Sequence, residues 1–161
     1  MAQVLTAQPD VPPAVRAWAR LLRAHAATTR LLSAQLQSQH GLTLNDYEAL
    51  LVLSRAEGGH LKRVDLARSL LLTPSGVTRL LDGLEQAGLV ESVPCPEDRR
   101  VTYAQITDEG RSKLADASCG HEGSIRTSLE EHLSREELDT MAEILGKLPG
   151  VADGDDSCRP A

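Results

Sequence analysis

The stretch LLTPSGVTRLLDGLEQAGLV, residues 71–90, decides how this chain is read. Thr73 and Pro74 open a helix, with a capping hydroxyl followed by a proline at the first helical position, where a missing N–H costs nothing. Val77, Leu80, Leu81 and Leu84 then recur at helical spacing and make one apolar face. The opposite face carries Ser75, Arg79, Asp82 and Gln86, with Gly76 and Thr78 at its margins, and Gly88 ends the helix. Upstream, LKRVDLARSLLL (61–72) is a second short amphipathic helix entered from an extended residue pair. A turn of about three residues joins the two into a helix-turn-helix. Downstream, LVESV (89–93) and VTYAQI (101–106) alternate like strands. Between them PCPEDRR reads as a loop, because Pro94 and Pro96 cannot donate to a ladder. A helix-turn-helix followed by a charged hairpin is a winged arrangement.

On either side the pattern is helical. Residues 1–12 form a polar, proline-bearing lead read as flexible. From Pro13 to Gln39 no glycine or proline interrupts an Ala- and Leu-rich run, which predicts a long helix with a seam of Val15, Trp18, Leu22, His25, Thr29, Leu32 and Leu36. HGLT breaks it. Thr43 and Asp46 then form a capping box for LNDYEALLVLSRA, which stops at Gly58-Gly59. After Thr107 another helix runs through DEGRSKLADASCGHEGSIRTSLEEHL, although Gly120 and Gly123 weaken its middle by about 1 kcal/mol each. Ser134 and Glu137 make a second capping box, Leu138, Met141, Leu145 and Leu148 stripe the last helix, and Pro149 stops it. The remaining GVADGDDSCRPA, residues 150–161, is read as a disordered tail.

The fold class is therefore mainly α with a small β-hairpin wing (α+β). A winged helix-turn-helix module occupies residues 41–107, and a helical dimerisation region is split between 13–40 and 108–149. The stripes on the end helices exceed what so small a module can cover. Leaving them wet forfeits about 25 cal/mol per Å², and a second copy related by a two-fold axis is the simplest cover.

Composition narrows the function. Hydrophobic content of 41% is that of a globular chain, and no apolar run reaches the length of a membrane span. The start has no basic segment followed by an apolar one, so no signal peptide is read and a cytoplasmic protein is expected. Cys95, Cys119 and Cys158 are odd in number and far apart, which suits a reducing compartment. Trp18, Tyr47 and Tyr103 are the only aromatics, too few for a platform that stacks single-stranded nucleic acid. The net charge of −6 looks hostile to duplex DNA, but residues 128–161 alone hold nine acidic side chains against three basic ones. Screening over about 8 Å leaves the middle of the chain free of that repulsion. An enzyme is not expected, since there is no glycine-rich phosphate loop and no strand-to-helix nucleophile turn. No cofactor is expected. No metal site is expected either: Cys119 and His121, near Glu122 and His132, are two apart on a helix and point to different sides.

The exposed face of the 74–86 helix has the chemistry of a major-groove reader. Thr73, Ser75, Gly76 and Thr78 crowd its first turn with small and hydroxyl-bearing groups, and Arg79 is long enough to reach a guanine or a phosphate. Taken alone, such a face is equally that of an ordinary solvated helix. Asp98, Arg99 and Arg100 in the hairpin loop add two cations, with Asp98 placed to hold Arg100; taken alone, they are a solvated turn. Helix, turn, helix and basic hairpin in this order make duplex DNA the favoured partner, with Arg63 and Lys62 as further contacts.

Residues 42–110 resemble the MarR family of bacterial transcription regulators. LTLNDYEALLVL, DLARSLLLTPSGVTRLLDGLEQAGLVE and DRRVTYAQITDEG stand in the order that family shows, and the most specific part is Asp98, Arg100, Ile106, Thr107, Asp108, Glu109 and Gly110. The resemblance implies a homodimer, a repressor at a pseudo-palindromic operator of the bacterial nucleoid, released by a small-molecule effector or by oxidation. It also implies an effector pocket between the dimer helices and the winged module, for which Trp18, His25, Thr29, Tyr47 and Glu48 (or Asp46) are the candidates. His25 and Tyr47 can equally be packing residues. The family's peroxide-sensing branch keeps a cysteine in the first helix, where this chain has none, but Cys95 beside Arg99 and Arg100 keeps a thiol-based redox regulator open. A winged-helix protein-interaction module without operator binding is the other alternative. Where family members often carry basic residues near the helix end, this chain has Gly83, Gln86, Ala87 and Ser92.

Overall fold

The computed structural model of the chain describes residues 11–95 and 101–149. The expectations of a flexible lead over 1–12 (all but its last two residues), of the hairpin tip that carries Asp98, Arg99 and Arg100, and of a disordered tail (150–161) lie outside the described residues.

Among the described residues, six helices and three short strands follow in the order α1 (Pro13–His40), α2 (Leu44–Arg55), β1 (His60–Lys62), α3 (Arg63–Ser69), α4 (Pro74–Gln86), β2 (Val90–Pro94), β3 (Thr102–Ile106), α5 (Asp108–Glu130) and α6 (Arg135–Gly146). A single 3-10 turn, Glu57–Gly59, links α2 to β1. The boundaries follow local chemistry. Gly41 ends α1 in the left-handed region at φ 67°, and its N–H donates to the Gln37 carbonyl. Both capping boxes form: the Thr43 N–H donates to Asp46 Oδ2 at 2.8 Å, and the Ser134 N–H to Glu137 Oε2 at 2.8 Å. Thr73 caps α4 by accepting from the Gly76 N–H at 3.1 Å.

In the sheet, two features differ from the sequence reading. The extended pair before α3 is a strand that completes a three-stranded antiparallel sheet of order β1-β3-β2, with Leu61 opposite Ala104 and Ser92 opposite that same residue on the other side. Pro94, read as loop, closes β2 opposite Thr102. It is tolerated because β2 is an edge strand, and the ladder continues past it, the Cys95 N–H donating to the Val101 carbonyl at 2.9 Å.

The core gathers α2, α3, α4, the sheet and the first half of α5 around Leu50, Leu53, Leu66, Leu81, Ala104 and Ile106, and the C-terminal half of α1 adds Leu36. The segment Ile106 to Gly110 knits the sheet to α5. The Thr107 hydroxyl donates to the Gly88 carbonyl at 2.8 Å and accepts from the Gly110 N–H at 3.0 Å. Any side chain at Gly110 would collide with the Leu89 carbonyl, so glycine is needed there for close approach. The seam of α1 divides. Leu32 and Leu36 are buried, while Val15, Trp18 and Leu22 stand about half exposed in the single chain. Helix α6 buries no residue at all.

Candidate nucleic-acid interface

Helix α4 is strongly two-faced. Val77, Leu81 and Leu84 are buried and Leu80 is only partly so, while Ser75, Thr78, Arg79, Asp82 and Gln86 are exposed. Hydrogen bonding sorts the first turn further. The Thr73 hydroxyl is engaged as the cap, and Thr78 Oγ1 donates to its own helix at the Pro74 carbonyl, 2.9 Å away. Ser75 lies 3.2 Å from Thr73 Oγ1 and keeps hydrogen-bonding capacity outward. Gly76 is half-buried, and a Cβ there would press on Thr73 Oγ1 at 3.2 Å, so a larger residue would disturb the cap. Arg79 is exposed and makes no ion pair among the described residues. Together with the positive end of the helix dipole, the Ser75–Arg79 surface favours an anionic, hydrogen-bonding partner.

The other expected cations divide. Lys62 is exposed on β1, the sheet edge opposite β2. Arg63 turns inward: its Nη2 donates to Glu85 Oε1 at 3.1 Å and to Ser92 Oγ at 2.8 Å, and the Ser92 hydroxyl donates to the same carboxylate oxygen. Only about a third of either charged side chain is exposed (33% and 31%), and Arg63 Nε is buried without a partner. This link was not read from the sequence. The signal was Glu85 itself, a carboxylate in a final helical turn that holds no basic residue, where the dipole disfavours it unless a cation comes from elsewhere. Asp98, Arg99 and Arg100 lie outside the described residues.

The candidate effector residues are not all brought together. His25 and Thr29 share a shallow groove on α1 with Ala26, Arg30, Ser33, Ala34 and Gln37. Burial raises the Glu48 carboxyl above its ordinary value, and the charge of His25 opposes that rise, so His25 and Glu48 stand within electrostatic range. Trp18 lies two turns up the helix, 60% exposed and outside that groove. Tyr47 faces away, its hydroxyl 3.2 Å from Ser118 Oγ and its ring centroid 4.5 Å from that of His121. Ser118 and His121, both on α5, were not singled out as its partners, although Leu114, Ala117, Ser118 and His121 fall on one buried helical face. Cys119, next to them, is exposed, and Cys95 is half-buried.

The comparisons agree with this geometry. The model of the MarR family matches residues 40–101. The chain is 32% identical over 108 residues to the transcriptional repressor YetL of Bacillus subtilis, an alignment covering 67% of this chain and 64%, less than two thirds, of that relative. It is also 32% identical to the regulator MhqR of the same organism, over 68% of this chain and 74% of the relative. The fold superposes on Sco3205, a MarR family regulator from Streptomyces coelicolor solved in complex with DNA, with a TM-score of 0.77 and 26% identity over 92% of this chain and 97% of that one. These relatives are transcription regulators, not enzymes. Among the described residues no helix is long and apolar enough to cross a membrane.

Proposed function

We infer the function from one premise: the chain belongs to the MarR family of transcription regulators. On that premise it is a homodimeric repressor that binds a pseudo-palindromic duplex in the bacterial cytoplasm. Helix α4 of each protomer enters a major groove, where Ser75 and Arg79 meet base edges and Thr73, Gly76 and Thr78 set the close approach. Arg99 and Arg100, with Asp98 orienting the second, grip the neighbouring phosphates, and Lys62 adds charge at the far sheet edge. The observation that carries the reading is the division of α4. Its apolar residues are spent on the core, while Ser75, Thr78 and Arg79 are left exposed at the dipole's positive end. Release by a small molecule fits the surface where His25 and Thr29 line a groove within range of the half-buried Glu48.

A fluorescence anisotropy titration tests this, using duplex DNA from the chain's own upstream region at several salt concentrations. Affinity should fall steeply with salt, by about 0.9 in log K per unit of log salt for each phosphate contact, and Arg99→Ala with Arg100→Ala should flatten that slope. Binding that is absent at low salt, or insensitive to salt, would instead favour a winged-helix module that meets protein.

A further inference from the structure

We propose that Arg63 is a positioning residue, a clamp joining helix α4 to the wing, and not one of the phosphate contacts. The proposal rests on the DNA-binding reading above and refines which cations serve it. Three elements meet at one carboxylate. Arg63 stands at the start of α3, Glu85 in the last turn of α4, and Ser92 in the middle of β2. The guanidinium spans 3.1 Å to Glu85 and 2.8 Å to Ser92, and the serine hydroxyl closes the triangle on the same oxygen. The planar guanidinium fork fixes the directions of both Nη2 N–H bonds, so one nitrogen serves two acceptors at a set angle, which a freely rotating lysine ammonium does not hold. What it holds is consequential. The N-terminal end of α4 is fixed by Thr73, and the clamp fixes the other end against β2, the strand that leads into Arg99 and Arg100. The angle between the base-reading helix and the wing therefore depends on a residue that touches neither groove. With its charge already paired and half-hidden, Arg63 has little left to offer a phosphate.

The two roles predict opposite results at Glu85. Deleting a negative charge from a DNA-facing module tightens binding if electrostatics is all that matters. If the carboxylate is the hub of a clamp, Glu85→Ala weakens binding by about tenfold, the scale of one charge-assisted hydrogen bond. Arg63→Ala should do the same, the double variant should be no worse than the weaker single one, and the salt slope should stay at the wild-type value in all three. Arg63→Ala with Ser92→Arg, which returns a guanidinium to Glu85 from the strand, should recover affinity. A slope reduced by about 0.9 in Arg63→Ala, with equal or tighter binding by Glu85→Ala, overturns the proposal and makes Arg63 a phosphate contact. Should Arg63→Ala melt near the assay temperature, Arg63→Lys replaces it, keeping the charge but not the fork.

A second readout needs no DNA. Amide hydrogen exchange over Val90–Pro94 should rise in Arg63→Ala and Glu85→Ala alike, and unchanged exchange in either variant overturns the clamp. Wild-type protein that binds no duplex at low salt defeats the DNA-binding reading instead, and the exchange measurement still decides whether the clamp exists.

Discussion

At the scale of single residues, His121 shows what a sequence conceals. Its neighbours Cys119 and Glu122 invite the question of metal, and spacing answers that question without revealing where the ring goes. In the fold it is 5% exposed, packed at a tilt against Tyr47, with Nδ1 buried and unpartnered. Burial pushes its pKa below the ordinary 6.5, and the nearby Glu122 carboxylate only partly restores it. The ring therefore prefers to be neutral in the folded chain, and the unfolded chain binds the extra proton. Stability from this site is fully present above the ordinary value of 6.5 and is lost as pH falls below it toward the depressed folded value. The temperature of the thermal unfolding midpoint should accordingly drop as pH falls from about 7 through and below 6.5, ahead of general carboxylate protonation. His121→Phe keeps a ring against Tyr47 and removes the proton site, so its midpoint should vary less over that window. Equal pH dependence in the two proteins would assign the effect to another group. Burial of this kind depends on α2 crossing α5, which one-dimensional spacing does not encode. The capping role of Thr73 and the outward position of Arg79, by contrast, were legible because capping and helical periodicity are local.

At the scale of elements, the helix-turn-helix was readable because its signals are strong and close together: a cap, a proline and an apolar stripe of period 3.6. Strand β1 was barely readable. Three residues carry no alternation to speak of, and His60–Lys62 become a strand only because β3 offers its free edge at Tyr103, Ala104 and Gln105. The end of α3 was misplaced for a related reason. LARSLLL continues a helical pattern, yet the helix stops at Ser69, and Leu71 adopts φ 53° while 93% of it faces solvent. The Leu72 N–H reaches back to the Ala67 carbonyl at 2.9 Å, a Schellman closure that favours glycine at the position leucine occupies. The left-handed backbone costs a leucine about 1–2 kcal/mol, and the added freedom of an unfolded glycine returns about half of that. With no burial to lose, Leu71→Gly should stabilise the protein by about 0.5–1 kcal/mol. The unfolding midpoint at fixed protomer concentration should rise by about 2 °C. A lower midpoint would mean that the leucine side chain is covered in solution.

At the scale of the whole molecule, the single chain leaves apolar helix faces uncovered. Helix α6 has 12 residues, a length marginal for an isolated helix in water, and it buries none of them. Its apolar side holds Met141 and Leu145 half-exposed beside Ile144 at 55%, while the first turns of α1 leave Val15, Trp18 and Leu22 at 53%, 60% and 49%. The sequence showed these stripes plainly, since amphipathic periodicity needs no tertiary context. It could not show which residues of the α1 seam serve the chain's own core, because that depends on where α5 crosses, and only Leu32 and Leu36 are claimed there. In the homodimer proposed above, the remaining stripe meets a surface of like character, the same two helices of a second copy. Wild-type chain at micromolar concentration should therefore show by light scattering about twice its 17.3 kDa mass. Placing carboxylates in the stripe with Trp18→Asp and Ile144→Asp should shift the species to the single mass, because an unpaired charge buried in an interface costs several kcal/mol. Duplex affinity should collapse in the same variant, since one winged module forfeits the phosphate contacts of its twin and the salt slope halves with them. A wild-type monomer that still binds duplex tightly would refute the symmetric arrangement while leaving the α4 surface intact. A variant that stays dimeric would move the interface to some other face of the chain.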